Sequence, residues 1–124
     1  MGLLVRVAHS LQLHREESYA SLAFFKAQLY RRAWFSILGL DCQTAFDRGT
    51  DPAVPANSYN TKLPANINDA DLTPDTRFSQ PEPRHFTDMT FSRIASECAN
   101  LIRQLSLVPV SLCYIFPPVF LKYH

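Results

Sequence analysis

The sequence predicts an all-α fold in which helices are joined by one long, proline-rich irregular excursion. Apolar residues recur at intervals of three or four in three separate stretches, which is the mark of amphipathic helix. Between the second and third stretch, residues 47–86 show neither that period nor the alternation of a strand. Pro52, Pro55, Pro64, Pro74, Pro81 and Pro83 punctuate them.

The first helix is expected over 3–13, where Leu4, Val7, Ala8 and Leu11 share a face. His14-Arg15-Glu16-Glu17-Ser18 then reads as a polar connection. The second helix is expected over 21–46. Leu22, Phe25, Leu29, Ala33, Ile37 and Leu40 form its stripe, and Trp34, Leu38, Cys42 and Ala45 widen it. So broad an apolar arc implies burial on more than one side. Lys26, Arg31 and Gln43 fall opposite. Ser21 is a candidate cap, and Gly49 can end the turn beyond Phe46.

The excursion has widely spaced apolar anchors at Tyr59, Leu63, Ile67, Leu72 and Phe78. It is expected to cross the helices in ordered form as far as Leu72, with greater mobility from Thr73 to Arg84. Helical period returns over 87–106. There Phe91, Ile94, Ala95, Cys98, Leu101, Ile102 and Leu105 make the apolar face, and Arg93, Glu97 and Arg103 lie mainly off it. Thr87 suits a cap, and Asp88 suits the positive end of the helix dipole. Residues 107–124 form a hydrophobic tail broken by Pro109, Pro117 and Pro118, too interrupted for a membrane-spanning helix.

The 124-residue length allows one domain at most. Twelve basic and eleven acidic residues give a formal charge of +1, and Arg31-Arg32 is the only dense basic pair. That balance argues against a direct grip on a phosphate backbone. Cys42, Cys98 and Cys113 have neither metal nor redox-motif spacing and read as reduced thiols.

Leu63-Pro64-Ala65-Asn66-Ile67-Asn68-Asp69-Ala70-Asp71-Leu72 is polar, short-sided and stiff, with side chains suited to bonding nearby backbone. A calcium loop would also need Gly at its sixth position and Glu at its twelfth, and neither is present. His9 and His14, five apart, fall off one helical face, which argues against a shared metal. Ser10, His14 and Asp41 make no triad without a nucleophile elbow. A catalytic or metal role is therefore not expected. The preferred reading is a structural clasp drawn from Arg31, Arg32, Trp34, Asp41, Asn66, Asn68, Asp69 and Asp71. In it, Asp69 or Asp71 lies near one of the two arginines, or an arginine pairs with Asp41. Trp34 and Phe35 are read as core before effector pocket.

Several segments, in order, resemble the fungal-specific transcription factor domain, the helical middle region of fungal zinc binuclear cluster regulators. Ala8-His9-Ser10-Leu11-Gln12-Leu13-His14-Arg15 is similar to the family's Ala-x-Ser-Leu-Gly-Leu-His-Arg, with Gln12 where Gly is usual. Arg31-Arg32-Ala33-Trp34-Phe35 is similar to Arg-Arg-x-Trp-Trp, with Phe35 keeping the aromatic character. Asp41, Arg48-Gly49-Thr50-Asp51-Pro52, the Leu63–Leu72 stretch and Phe86-Thr87-Asp88-Met89-Thr90-Phe91 follow.

The resemblance implies a partial regulatory domain over 1–106, with no domain assigned to 107–124. It implies a non-catalytic role in control of transcription and a nuclear location. The partners it implies are other regions of a full-length regulator or the transcription machinery, with homodimerisation admitted at family level. DNA would be reached only through a zinc cluster outside this chain, where any zinc cofactor would also sit. The alternatives are a small ligand-binding helical module and a truncated product without independent function.

Overall fold

The computed structural model describes residues 1–77 and 84–105. Among these the regular elements are α1 (Gly2–Ser10), α2 (Phe24–Arg48) and α3 (Thr90–Leu105), with short 3₁₀ turns at Glu16–Tyr19 and Asp69–Asp71. No strand occurs among the described residues. The fold is all-α. Phe78, Cys113, the tail 107–124 and part of the Thr73–Arg84 segment lie outside the described residues.

α1 stops three residues before the expected end at residue 13. Gln12 adopts φ 57°, in the left-handed region. Its N–H donates to the His9 carbonyl at 2.9 Å, and the Leu13 N–H donates to the Ala8 carbonyl at 3.1 Å. These two bonds make a Schellman turn, which satisfies the last carbonyls of the helix. Leu13 is thereby folded back into the core.

α2 starts later than expected and ends later. Ser21 does not cap it; Ala23 occupies that place in extended conformation with no side-chain bond. At the far end Gly49 sits at φ 64°, its N–H reaching the Phe46 carbonyl at 3.2 Å. The Thr50 N–H meets the Ala45 carbonyl at 2.9 Å, so this helix closes on the same turn as α1.

α2 is the spine of the molecule, and α1 and α3 both pack on it. The buried stripe runs through Ala27, Trp34, Leu38, Asp41 and Ala45, not through the expected line that includes Leu29, Ala33 and Leu40. Trp34 is completely buried, in a cluster with Val5, Ala8, Leu13, Phe35, Leu38 and Val54. Tyr59 and Leu63 of the excursion pack against this cluster. Trp34 and Phe35 are therefore core residues.

α3 departs most from expectation. Its buried residues are Ser96, Ala99 and Arg103. Phe91, Ile94, Leu101 and Leu105 of the expected core face are 55–80 % exposed. The helix turns its small and polar line toward α2 because that line allows a close approach, and because Arg103 has a buried partner there.

Candidate functional site

Three polar junctions hold the helices and the excursion together, and they sort the residues of the expected clasp into separate groups. The first joins the Asn66–Asp69 loop to the start of α3. Asn66 Oδ1 accepts from the hydroxyls of Thr87 and Thr90 at 2.6 and 3.0 Å. The Asp88 N–H donates to Asn68 Oδ1 at 3.1 Å, and the Asp69 N–H donates to Asp88 Oδ2 at 2.8 Å. The Thr87 hydroxyl also accepts from the Met89 N–H at 3.2 Å. Loop and helix start thus supply each other's missing partners, which is how orphan donors at a helix N-terminus are satisfied.

The same loop touches α2. Arg32 Nη1 lies 2.7 Å from Asp69 Oδ1, with side-chain exposures of 21 % and 68 %. Of the two carboxylates Asp69 meets the arginine. Asp71 is exposed and contributes its backbone carbonyl, which accepts from Thr76 Oγ1 at 2.8 Å. The excursion is pinned further by buried Gln28, whose Oε1 accepts from the Ala65 N–H at 2.7 Å. Arg93 of α3 donates to the Pro64 carbonyl at 2.8 Å.

Arg31 does not join this junction. Adjacent residues on a helix point about 100° apart, so Arg31 and Arg32 address different segments. Arg31 pairs with Glu16 in the turn after α1 and lies 5.5 Å from the centre of the Tyr19 ring. Glu16 Oε2 also accepts from the Lys62 N–H at 3.0 Å. Asn60 completes this second junction. Its N–H donates to the His14 carbonyl at 3.1 Å, and its Oδ1 accepts from the Glu16 N–H at 2.8 Å. Its Nδ2 donates to Glu17 Oε1 at 2.7 Å. Backbone hydrogen bonding, with this contact from Asn60, holds the Glu17 carboxyl below its ordinary pKa.

The third junction is buried, and Asp41 belongs to it. Asp41 Oδ1 accepts from the Ala53 N–H at 2.9 Å, and Oδ2 accepts from the Val54 N–H at 3.0 Å. Arg103 Nη2 lies 3.2 Å from Oδ2, with side-chain exposures of 1 % and 2 %. The guanidinium also donates to the carbonyls of Leu38 and Ala99. Beside it the Cys42 thiol donates to the Ala99 carbonyl at 3.6 Å, and burial pushes its pKa up. A thiol so placed is a poor nucleophile.

Asp41 pairs with neither Arg31 nor Arg32 because it stands on the face of α2 that carries Trp34 and Leu38. Sequence reasoning missed Arg103, Gln28, Asn60 and Glu16. For Arg103 a signal existed: Ser96, Ala99 and Arg103 recur at helical spacing, and small residues mark a close helix–helix contact.

These groups are spent on one another and on backbone, an arrangement that stiffens a scaffold. Two surface recesses are described. One of about 170 Å³ is lined by Asn66, Thr90, Arg93, Ile94 and Glu97. The other, of about 480 Å³, is lined by Ala23, Phe24, Pro74, Asp75, Thr76 and Arg77. Neither is lined by Trp34, Phe35, Arg31 or Arg32. Among the described residues no three His, Cys, Asp or Glu side chains come together as a metal site. Among the described residues no helix is long and apolar enough to cross a membrane.

Comparison with known proteins adds the following. Residues 1–122 match the model of the fungal specific transcription factor domain. The chain is 31 % identical over 101 residues to the pyriculol/pyriculariol biosynthesis cluster transcription factor 1 of Pyricularia oryzae, covering 82 % of this chain and 14 % of that protein. It is 32 % identical over 109 residues to transcription factor lepE of Aspergillus flavus, covering 86 % and 13 %. It is 39 % identical over 95 residues to the C6 finger domain transcription factor hasF of Aspergillus fumigatus, covering 73 % and 12 %. The matched stretch is thus about one seventh to one eighth of each relative's length. No solved structure matches the chain.

Proposed function

The chain belongs to the fungal specific transcription factor domain family, and on that premise we propose that it acts by packing against other regions of a full-length regulator. Its role is regulatory. It controls the output of a transcription factor without carrying out chemistry, it resides in the nucleus, and any zinc would be held by a DNA-binding cluster outside these residues.

The observation that carries this reading is the outer face of α3. Phe91, Ile94, Leu101 and Leu105 stand 55–80 % exposed on a helix whose inner face holds Ser96, Ala99 and Arg103. An apolar stripe of this kind lowers its free energy by about 25 cal/mol for each Å² it removes from water. A domain surface that docks within a larger protein has this character. The polar junctions, in which carboxylates, amides and arginine Nη groups bind one another and backbone, support a scaffold role over a catalytic one.

The test fuses the 124-residue chain between a heterologous DNA-binding domain and an activation domain in a fungal reporter strain. The fusion is expected to change reporter output relative to a neutral linker of equal length. Ile94→Lys with Leu101→Lys is expected to abolish that change while leaving the thermal melt of the free chain intact. Equal output from chain, linker and double variant would overturn the reading.

A further inference from the structure

We propose that the imidazole of His14, packed against His9 and Trp34, forms a proton-sensitive latch that holds α1 on α2 while the His14 ring is neutral. This goes beyond the docking role above and does not depend on it.

The pair is created by the end of α1. Five residues apart on a continuous helix, the two rings would point in different directions. The left-handed turn at Gln12 brings them together instead, with ring centres 4.5 Å apart. Both lie against the buried indole, His9 at 5.9 Å and His14 at 6.2 Å from its centre. Tyr59 closes the far side, edge-on to Trp34 at 5.6 Å. His9 Nε2, His14 Nδ1 and Trp34 Nε1 are all out of solvent and have no hydrogen-bond partner among the described residues.

Protonation fits this arrangement poorly. A neutral imidazole can keep a bare lone pair at an unpartnered nitrogen. An imidazolium donates at both nitrogens, so it would place an N–H where no acceptor stands. A second positive charge would face the first across a single ring-to-ring contact.

The surrounding charges do not relieve this. The turn after α1 carries Arg15, Glu16 and Glu17, α2 carries Arg31, and the excursion carries Tyr59 and Lys62. Glu16 is engaged by Arg31 and by the Lys62 N–H, and Glu17 by Asn60. Arg15 acts on His14 as a further positive charge. The attraction of an imidazolium to an indole face opposes these effects, but it is one term against three. Burial first, then His9, then Arg15 lower the pKa of His14 from its ordinary 6.5.

The sign follows. A His whose folded pKa is depressed contributes stability that is present above its unfolded pKa and lost as pH falls through the folded value. The latch is therefore closed at neutral pH and opens below 6.5. The group that opens is α1, which is held to α2 by this cluster and by Val5, Ala8 and Leu13.

Trp34 is the only tryptophan and reports the event directly. Emission and near-UV circular dichroism of the 124-residue chain are followed from pH 8 to pH 5. The expected result is a reversible red shift and loss of near-UV signal with a midpoint below 6.5, while most of the far-UV helix signal persists. The double variant His9→Gln, His14→Gln is expected to be flat over that range. A flat wild-type titration, or the same transition in the double variant, overturns the proposal. Should the variant fail to fold, proton NMR of the wild-type chain decides: a His14 titration below 6.5 accompanied at the same midpoint by loss of the Val5 and Ala8 packing signals upholds it, and a titration at or above 6.5, or α1 signals that do not change with it, overturns it.

Discussion

Asp41 of α2 and Arg103 of α3 form an ion pair almost wholly out of water, 3.2 Å apart and 2 % and 1 % exposed. The carboxylate is also the anchor for two backbone N–H groups of the excursion, at Ala53 and Val54. One side chain therefore ties together α2, α3 and the start of the excursion.

Removing one partner of such a pair leaves the other charge buried and uncompensated. Arg103→Met is expected to cost about 3–5 kcal/mol. Asp41→Ala is expected to cost more, since it also orphans two amides. In the double variant Asp41→Asn, Arg103→Met the amide oxygen can still accept from one of the two backbone N–H groups, the other losing its acceptor, while no charge is left buried. Urea melts of the three variants check this, with the double variant expected to lie above Arg103→Met. A double-variant loss close to the sum of the two single losses would show that the pair is not coupled.

α3 shows what the sequence could and could not convey. Its existence and approximate limits were legible from period alone. Its orientation was not, because the rule that apolar residues face inward assumes a helix whose partners are all present and apolar. Here the interior partner is Asp41, and burying one charge requires burying its counterion. Arg103 therefore went inward and took the small residues Ser96 and Ala99 with it. The Arg32–Asp69 contact was within reach of sequence reasoning, since an acidic loop and an arginine pair have few other complements. The His9–His14 contact was not, because it depends on one backbone angle at Gln12.

That angle gives the second prediction. A non-glycine residue in the left-handed region costs roughly 1–2 kcal/mol relative to the right-handed one. Gln12→Gly removes this strain and is expected to raise stability by about 1 kcal/mol, part of the gain being offset by the freer unfolded chain. Gly49→Ala reverses the logic at the end of α2 and should lose about 1 kcal/mol. Nothing lies within 4 Å of a Cβ at position 49, so the loss would be conformational and free of clash. Both should shift the denaturation midpoint without changing the slope.

The loop junction separates charge from hydrogen bonding. The Arg32–Asp69 pair is solvent-facing, so Arg32→Ala is expected to cost no more than about 1 kcal/mol, and less as salt rises. Asn66→Ala removes the acceptor shared by Thr87 and Thr90 and is expected to cost about 1–2 kcal/mol at any salt. Melts at low and molar salt distinguish the two. Amide exchange should localise the Asn66 effect to the first turn of α3, where Thr90 lies.

Tyr59 and Tyr19 set the alkaline limit. Tyr59 packs on Trp34 and donates to Asn100 Oδ1 of α3. Tyr19 donates to the Leu13 carbonyl at 2.6 Å, a carbonyl that also accepts from Thr61 Oγ1. Burial raises the pKa of both phenols above the ordinary 10. Each raised value means that the folded state prefers the neutral phenol. The stability this contributes is complete below pH 10 and is lost as pH rises through the folded pKa. Absorbance at 295 nm should show part of the tyrosine titration delayed beyond pH 10 in the folded chain and released in denaturant. Tyr59→Phe keeps the ring against Trp34 but gives up the bond to Asn100. It should therefore lower stability at neutral pH by about 1 kcal/mol and shorten the delayed phase. A delayed phase unchanged in Tyr59→Phe would assign it to Tyr19 alone.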